Sequence, residues 1–236
     1  RERLEIPLAA FLDYAESAAA DWPFAVCERC WEPPREAMRR ELAAPQGAWE
    51  NLYDLVPAHG RPQESHLALL VGGARAGALP HRQPDGATGW HTVITGAQLW
   101  ALGPPDQEPA FEEVPPCAWF LDQQGAAARQ AVLSRGDTLF IPAGWWSAYV
   151  CLPGPVTMSV AQAALLPATL PRVLPVLQRR RPRLLRYLAS GGGALEGILA
   201  PERAPALPRR LEGSGGYGVE RIHFSELSVG ALRRGV

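Results

Sequence analysis

Short apolar runs separated by glycine- and proline-containing turns occupy the middle of this chain. The first, HLALLVGG at 66–73, ends in Gly-Gly, a pattern typical of a buried strand. Seven further strands are predicted at 78–83, 89–95, 98–103, 130–134, 137–142, 147–152 and 156–163. Pro104 and Pro105 end the fourth of these eight strands, because proline has no N–H to donate to a neighbouring strand. Eight short strands with turns between them predict a mainly β, barrel-like fold.

A helical pattern precedes the predicted barrel. Apolar residues recur at roughly helical spacing near the start of the chain, which predicts an amphipathic helix from about Pro7 to Ala20. The segment 23–29 suits a short strand. A short helix near 34–43 and an irregular packed loop are expected before the barrel begins. Inside the barrel region, 106–128 is predicted to be a long polar loop in which Trp119 is a packing anchor.

A second helical pattern follows Ala163. Four prolines are expected to break it into short helices, since an internal proline costs a helix about 3 kcal/mol. These are Pro167, Pro171, Pro175 and Pro182. Leucines at helical spacing are expected to form a buried stripe. They are Leu174, Leu177, Leu184, Leu185 and Leu188.

The predicted organisation is a central barrel with helical flanks. Four regions follow one another: an N-terminal helix-and-strand segment that packs on the barrel (1–64), the barrel (65–163), C-terminal helices (164–192) and an irregular tail (193–236).

The composition is that of a globular protein, with 47% hydrophobic and 20% charged residues among 236. A net charge of −1 gives no general attraction to nucleic acid, and no apolar run has the length of a membrane helix. All 23 basic residues are arginines, so no lysine can form a Schiff base or act as a base. We expect an intracellular protein of the cytoplasm or nucleus, without a membrane partner.

Four cysteines are too few and too scattered for a disulfide framework. Cys27 and Cys30 form a CxxC pair, but a zinc site needs a second pair, and Cys117 and Cys151 stand singly. We therefore expect free, partly buried thiols in a reducing compartment.

Two stretches carry the strongest motifs of the chain. They read PHRQPDGATGWHTVITGAQLW at 80–100 and RGDTLFIPAGWWSAYVCLPGPVTMSVAQ at 135–162. Together they resemble the two signature halves of a JmjC domain, the cupin-type (jelly-roll) double-stranded β-helix of Fe(II)/2-oxoglutarate oxygenases. The resemblance points to the branch of arginine demethylases and lysyl hydroxylases and spans about residues 4–189. It implies a double-stranded β-helix with flanking N- and C-terminal helices.

The framework residues of that family are present at matching spacing. Those expected to have a structural role are Trp90, Trp100, Asp137, Pro142, Trp145 and Trp146.

The metal ligands of the family are largely missing. The family holds Fe(II) with two histidines and a carboxylate. By resemblance the first histidine falls on His81, the carboxylate on Gln83 and the distal histidine on Ser147. A neutral amide cannot balance the charge of the metal, and a serine hydroxyl is a weak ligand. We expect a degenerate site without bound Fe(II). A weaker alternative assembles rearranged ligands from His81, Asp85 and His91.

The co-substrate pocket of the family is altered as well. The lysine that binds the 2-oxoglutarate carboxylate falls on Gln98, its hydroxyl partner on Ser159, and an asparagine of the family on His91. A charged, buried carboxylate needs a cation beside it. We therefore expect a vestigial pocket and the loss of both family cofactors.

These residues favour a catalytically inactive JmjC-like domain, a pseudo-oxygenase that acts as a structural or protein-interaction module in a larger assembly. No catalytic residue is expected. One alternative is an Fe(II)/2-oxoglutarate-dependent protein hydroxylase or demethylase with rearranged ligands. The metal content of the purified chain distinguishes the two.

An arginine cluster near the C-terminal helices is the expected partner-binding surface. Its members are Arg179, Arg180, Arg181, Arg183 and Arg186. Other proteins of a complex are the expected partners, and the leucine stripe beside the cluster is expected to complete a docking surface within 165–236. Nucleic acid is the other alternative partner, and it is less favoured because the whole chain is nearly neutral.

Overall fold

Nine strands and four α-helices make up the regular structure of the described residues. The computed structural model describes residues 6–19, 23–28, 51–56, 62, 67–107, 109, 113–122 and 129–190. The strands are β1 (Ala25–Glu28), β2 (Ala68–Gly72), β3 (Gly77–Arg82), β4 (Thr88–Thr95), β5 (Ala97–Gly103), β6 (Arg129–Ser134), β7 (Thr138–Ile141), β8 (Trp146–Cys151) and β9 (Thr157–Ala164). The helices are α1 (Leu8–Ser17), α2 (Pro116–Asp122), α3 (Leu170–Arg180) and α4 (Pro182–Ser190). Single 3-10 turns lie at Leu52–Leu55, Pro84–Gly86, Pro105–Gln107 and Pro167–Thr169.

The strands form two antiparallel sheets packed face to face. One sheet has the order β1-β2-β9-β4-β7 and the other the order β3-β8-β5-β6. A core cluster between them draws on both sheets, with Val93 and Leu139 from the first and Trp100 and Leu133 from the second. All eight strands predicted for the barrel are confirmed as β2 to β9, each within two residues of its predicted bounds. The mainly β fold with flanking helices is confirmed as well.

Strand β8 is buried on both faces, and its side chains point alternately into two different core clusters. Tyr149 and Cys151 belong to the core between the sheets. Trp146, Ala148 and Val150 belong to a second cluster on the outer face, beneath α2. Because successive side chains of a strand point to opposite faces, Ser147 lies on the interior side with Tyr149.

Helix α2 lies in the segment that was predicted to be a loop, and that prediction is wrong for 116–122. Trp119 and Phe120 are buried there, and the Trp119 ring meets the Trp146 ring edge-on with centroids 6.2 Å apart. The outer face of β8 is apolar and needs a cover, so this short segment folds as a helix over it. Trp119 is the packing anchor that was expected.

Helices α3 and α4 bury their apolar side against the rest of the chain. Leu170, Val173, Leu177, Leu184 and Leu188 belong to one core cluster, and Leu185 packs against it. The same cluster contains buried residues from the segment before the barrel, from the turns before β4 and β8, and from the end of β9. These are Leu52, Tyr53, Val56, Ala87, Ala143, Ala163 and Leu165. The leucine stripe, in which Leu174 is half-buried, is therefore mainly an internal contact. Its part in a docking surface stays a prediction.

Proline breaks this helical segment less often than expected. Pro182 does separate α3 from α4, and it takes the first helical position, where a missing N–H has no cost. Pro175, however, lies inside α3. Its ring is on the exposed face, while Val173 and Leu177 anchor the opposite face in the core. That packing outweighs one lost hydrogen bond, so the predicted break at Pro175 is wrong.

The N-terminal flank agrees with its pattern in part. The predicted helix is α1, with Phe11 and Ala15 buried, and the predicted strand is β1 at the edge of the larger sheet. Cys27 on β1 is exposed, contrary to the partly buried thiol expected there, because an edge strand has one face open to solvent. Cys30, the predicted helix at 34–43 and the predicted tail at 193–236 lie outside the described residues.

Candidate functional site: the mouth and interior of the barrel

His81 and Ser147 are direct partners across β3 and β8. A register shift between Ala78 and His81 interrupts the pairing, and such bulges re-aim the side chains that follow. The Ser147 side chain is fully buried, whereas His81 is exposed, and its Nδ1 donates to the Leu79 carbonyl at 2.9 Å. Two positions that the resemblance assigns to metal ligands thus meet at one end of the barrel, which we call the mouth.

Gln83 lies at the same end, directly after β3. Its half-buried side chain lies over Gly89, because a Cβ on Gly89 would be 2.9 Å from the Gln83 Cδ. Glycine at 89 therefore makes room for the amide. All three metal positions implied by the resemblance lie in this part of the barrel, but Gln83 brings no negative charge to it.

Asp85 has a different role from that of a metal ligand. It sits in the turn Pro84–Gly86 with a backbone φ of 58°, a left-handed conformation that aspartate tolerates better than most residues. Its buried carboxylate accepts from the Arg181 Nε at 3.1 Å. No group of three or more His, Cys, Asp or Glu residues is arranged to hold a metal ion in the described ranges. The structure accordingly does not bring His81, Asp85 and His91 together as a triad.

The three residues of the predicted vestigial pocket do lie together between the sheets. The Gln98 Nε2 donates to the Ser159 Oγ at 3.4 Å, and the Gln98 Oε1 accepts from the Trp100 Nε1 at 3.1 Å. The His91 side chain lies beside Gln98 as well and its pKa responds to that amide. Both ends of this amide are therefore engaged by neighbouring side chains.

Aromatic rings enclose His91. Its ring centroid lies 4.6 Å from that of Trp100 and 5.6 Å from that of Tyr149, and the two larger rings stack on each other at 4.9 Å. Burial lowers the pKa of His91 to about 3, although its interaction with Gln98 opposes that shift. The imidazole is therefore neutral at physiological pH.

Other titratable groups of this interior are neutral too. Burial is the main cause that raises the pKa of the Cys151 thiol, to about 11, and it also raises the pKa of Tyr149 well above its usual range. No arginine is among the buried residues of the part of the chain described here. The surroundings of Gln98 carry no positive charge, so they do not suit a buried carboxylate such as that of 2-oxoglutarate.

Three buried polar atoms of the described side chains have no hydrogen-bond partner. They are the His91 Nε2, the Ser147 Oγ and the Trp146 Nε1. Buried polar groups in folded proteins are nearly always satisfied. Two of the three, on His91 and Ser147, face the barrel interior.

The framework residues lie around the site rather than in it. Asp137 is buried and accepts from the backbone N–H of Ser134 at 2.9 Å, which closes the turn between β6 and β7. The Pro142 carbonyl accepts from the Trp145 N–H in the turn before β8. Trp145 is half-buried, with the Arg129 guanidinium 5.6 Å from its ring centroid. Trp90 is half-buried on β4, and Trp100 and Trp146 are buried in the two clusters described above.

The arginine cluster divides into two groups. Arg179, Arg180, Arg183 and Arg186 are exposed on α3 and α4. Arg181, at the junction of these helices, pairs with Asp85 within the chain, and its assignment to a partner surface stays a prediction. The sequence from 165 to 190 contains no Asp or Glu, so the exposed side of the two helices is uniformly positive.

Three contacts were not predicted from the sequence: Asp85 with Arg181, the Tyr149 ring with His91, and the Cys151 thiol with Gln98. The last two could have been predicted from strand alternation, since Ser147, Tyr149 and Cys151 lie on the same face of one strand. The ion pair joins residues 96 positions apart and leaves no local signal.

The two antiparallel sheets, packed face to face with flanking helices, form a cupin-like sandwich. Within that class, the chain is a distant homologue of the JmjC arginine-demethylase and lysyl-hydroxylase proteins.

Four curated relatives carry this homology, each 22% identical to the chain. The "Arginine-specific demethylase JMJ22" of Arabidopsis thaliana aligns over 160 residues, which are 61% of this chain and 31% of that protein. The "Lysine-specific demethylase JMJ21" of the same plant aligns over 61% of this chain and 17% of its own length. The "Bifunctional arginine demethylase and lysyl-hydroxylase psr-1" of Caenorhabditis briggsae aligns over 200 residues, 74% of this chain and 49% of that protein. The chain thus spans at most about half the length of these relatives.

No protein-family model matches the chain. Among solved structures, the cupin domain of Drosophila melanogaster CENP-C is similar with a TM-score of 0.31 and 11% identity, over 42% of this chain and 59% of that one. KdgF from a Halomonas species is similar with a TM-score of 0.29 and 15% identity, over 42% and 68%. Likenesses of this size carry no argument about function. None of the described helices is long and apolar enough to cross a membrane.

Proposed function

We propose that this chain is a JmjC-like domain without oxygenase chemistry, which acts as a protein-interaction module in a larger assembly. The absence of oxygenase chemistry is proposed from Ser147, a fully buried hydroxyl directly opposite His81. An iron centre of this family needs an imidazole from each of these two strands and a carboxylate beside the first histidine. The chain offers one exposed histidine, a hydroxyl and the amide of Gln83.

The interior supports the same proposal. In the family a cation receives the co-substrate carboxylate, whereas Gln98 is neutral and is already hydrogen-bonded to Trp100 and Ser159. A carboxylate placed beside it would be buried without a counter-charge, which costs several kcal/mol even after relaxation. The residues present therefore do not fit Fe(II) with 2-oxoglutarate, and we derive no reaction for them.

The interaction role rests on the exposed arginines of α3 and α4. Four leucines of these helices (Leu170, Leu177, Leu184 and Leu188) are buried in the core, so the arginines lie on a packed scaffold rather than on a loose tail. Arginine side chains form planar, bidentate contacts with carboxylates. With no acidic residue from 165 to 190 to neutralise them, they suit an acidic surface of a protein partner.

Metal analysis tests the loss of chemistry. The purified chain, dialysed and analysed for its elements, is expected to carry far less than one equivalent of iron, manganese or nickel. It is also expected to give no succinate from 2-oxoglutarate when Fe(II) and ascorbate are added. Stoichiometric metal together with turnover would establish the alternative, a hydroxylase or demethylase with rearranged ligands.

Charge reversal tests the interaction role. Arg180→Glu with Arg183→Glu is expected to release the partners that co-purify with the unmodified protein. Arg135→Glu is the matched control, because Arg135 is an exposed arginine in the turn between β6 and β7. If the double variant retained every partner, the surface would lie elsewhere. If nuclease treatment alone released the bound material, the partner would be nucleic acid, and the protein-docking proposal would be wrong.

A further inference from the structure

Two atoms of the barrel interior lack the partners that their chemistry requires. The His91 Nε2 and the Ser147 Oγ are buried in side chains that are 3% and 0% exposed, and neither has a hydrogen-bond partner. A buried polar atom that is left unsatisfied forfeits the hydrogen bond it had to water in the unfolded chain. A group that could reach both atoms would restore what each of them lost.

The two atoms belong to side chains on facing walls of one interior. Ser147 and Tyr149 share the inward face of β8, and the Tyr149 ring contacts the His91 ring of the opposite sheet at 5.6 Å. The His91 Nε2 is left without a partner in this contact.

The same end of the barrel holds two more uncharged polar groups. His81 is the direct partner of Ser147 and donates through Nδ1 to the Leu79 carbonyl, so its Nε2 is an acceptor in the neutral form. The Gln83 amide lies over Gly89, which shares a face of β4 with His91 two residues further on. An acceptor, a hydroxyl and an amide therefore line this region.

We infer that the mouth and interior between His81, His91 and Ser147 form a binding site for a small uncharged ligand that both donates and accepts hydrogen bonds, of the primary amide class. A primary amide carries a donor and an acceptor, so one of its groups would pair with the His91 Nε2 in either tautomer and the other with the Ser147 hydroxyl. The inference rests on the proposed function, because a metal ion at the mouth would occupy the same place.

The charge distribution argues against ionic ligands. An anion would find no buried cation among the described residues, and the guanidinium of Arg181 is held by Asp85. Among the buried carboxylates of the described residues, a cation would find Asp85 already paired with Arg181 and Asp137 hydrogen-bonded to the Ser134 N–H. Burial of an unpaired charge is far more costly than burial of a hydrogen-bonded amide.

Acetamide and acetate provide a matched pair of probes, since they have the same shape and differ in charge. Each is titrated into the 15N-labelled full chain at neutral pH and followed by the backbone amide signals of residues 81–83, 91 and 147. Acetamide is expected to give saturable shifts at these positions at millimolar concentrations, and acetate none. Equal shifts from both probes, or none from acetamide, would overturn the inference.

Variants locate the site. Ser147→Ala is expected to weaken acetamide binding by about tenfold, the factor expected for one lost hydrogen bond of ordinary strength. Ser134→Ala, an exposed serine at the end of β6, is the control and leaves binding unchanged. If Ser147→Ala does not fold, Gln83→Leu at the half-buried mouth replaces it and is expected to weaken binding as well. Unchanged binding in the folded variant would place the acetamide elsewhere and overturn the inference.

The outcome is separable from that of the proposed function. Stoichiometric metal in the purified chain would overturn the proposed function and this inference together. A metal-free chain that does not respond to acetamide would overturn this inference alone and leave the interaction role intact.

Discussion

The guanidinium group of Arg181 contacts the buried carboxylate of Asp85 at 3.1 Å. This contact ties the junction of α3 and α4 to the turn Pro84–Gly86 at the mouth of the barrel. Asp85 is only 4% exposed, and its backbone adopts the left-handed conformation. The C-terminal helices are therefore fastened to the barrel by charge as well as by their leucines.

Removal of the guanidinium should destabilise the protein. Arg181→Ala leaves a buried carboxylate unpaired, and we expect a loss of about 2 kcal/mol in the free energy of unfolding, measured by urea denaturation. The expected loss is smaller than the 3–5 kcal/mol of a fully buried pair, because the Arg181 side chain is 39% exposed. Arg183→Ala is the control and should change little.

A compensating variant separates charge from packing. Asp85→Asn keeps a residue that tolerates the left-handed conformation but removes the negative charge. In that background Arg181→Ala should have a much smaller effect. If the two substitutions were simply additive, the ion pair would not be the source of the stabilisation.

Trp146 and Trp145 should differ in their effect on stability, although they are neighbours. Trp146 is buried, and a Cβ on Gly103 would lie 2.6 Å from its ring, whereas Trp145 is half-buried. Trp146→Ala should cost about 3–5 kcal/mol, and Trp145→Ala about 1 kcal/mol. Trp146→Phe should recover much of the loss, because the indole N–H it removes has no partner. Equal effects of the two alanine variants in urea denaturation would contradict this account.

His91 should make stability depend on pH below neutrality. The unfolded chain protonates this imidazole near its ordinary pKa of 6.5, whereas the folded chain does so only near pH 3. Between those values the unfolded state binds more protons than the folded state. The contribution of His91 to the free energy of unfolding is therefore complete above pH 6.5 and is lost as the pH falls toward 3. The slope is at most about 1.4 kcal/mol per pH unit.

His91→Asn removes this titration and provides the measurement. Urea denaturation from pH 8 to pH 4 should show a shallower pH dependence for the variant, since other groups contribute equally to both proteins. Parallel curves for the two proteins would mean that His91 is protonated in the folded state well above pH 3.

Restoration of the family ligands should restore metal affinity without turnover. Gln83→Asp together with Ser147→His returns a carboxylate and an imidazole to positions around His81, and calorimetry with Mn(II) should then detect binding that the parent lacks. Turnover of 2-oxoglutarate should stay absent, because Gln98 still offers no cation. Gln83→Asp alone is the control, with at most weak binding. If the folded double variant bound no metal, the mouth would not have the geometry that its homology implies.

The strands were accessible from sequence because their signals are local. Alternation, Gly-Gly at 72–73 and Pro104–Pro105 lie within or beside the strands that they define, so the eight barrel strands were predicted to within two residues. The helix over β8 was missed because seven residues are too few to establish a helical period. The rule that an internal proline breaks a helix fails at Pro175, because the sequence does not show that Pro175 lies on the exposed face of α3.

The site could be predicted in its identities but not in its contacts. Motif spacing assigned His81, Gln83 and Ser147 to the metal-ligand positions of the family, and the structure brings the three residues to one end of the barrel. Their burial, however, depends on strands far apart in the chain, so a sequence pattern could not show that Ser147 is enclosed while His81 is exposed. The pairing of Arg181 with Asp85 was hidden for the same reason.

The order of strands has a consequence for how the chain folds during its synthesis. In the larger sheet β9 lies between β2 and β4, and in the smaller sheet β8 lies between β3 and β5. Each sheet thus has an inner strand, β9 or β8, that is synthesised after both of its neighbours. These strands pair with residues far away in the sequence, and such pairings form slowly. Until β8 and β9 have left the ribosomal tunnel, the earlier strands present unpaired inner edges, which are the surfaces that chaperones protect from aggregation.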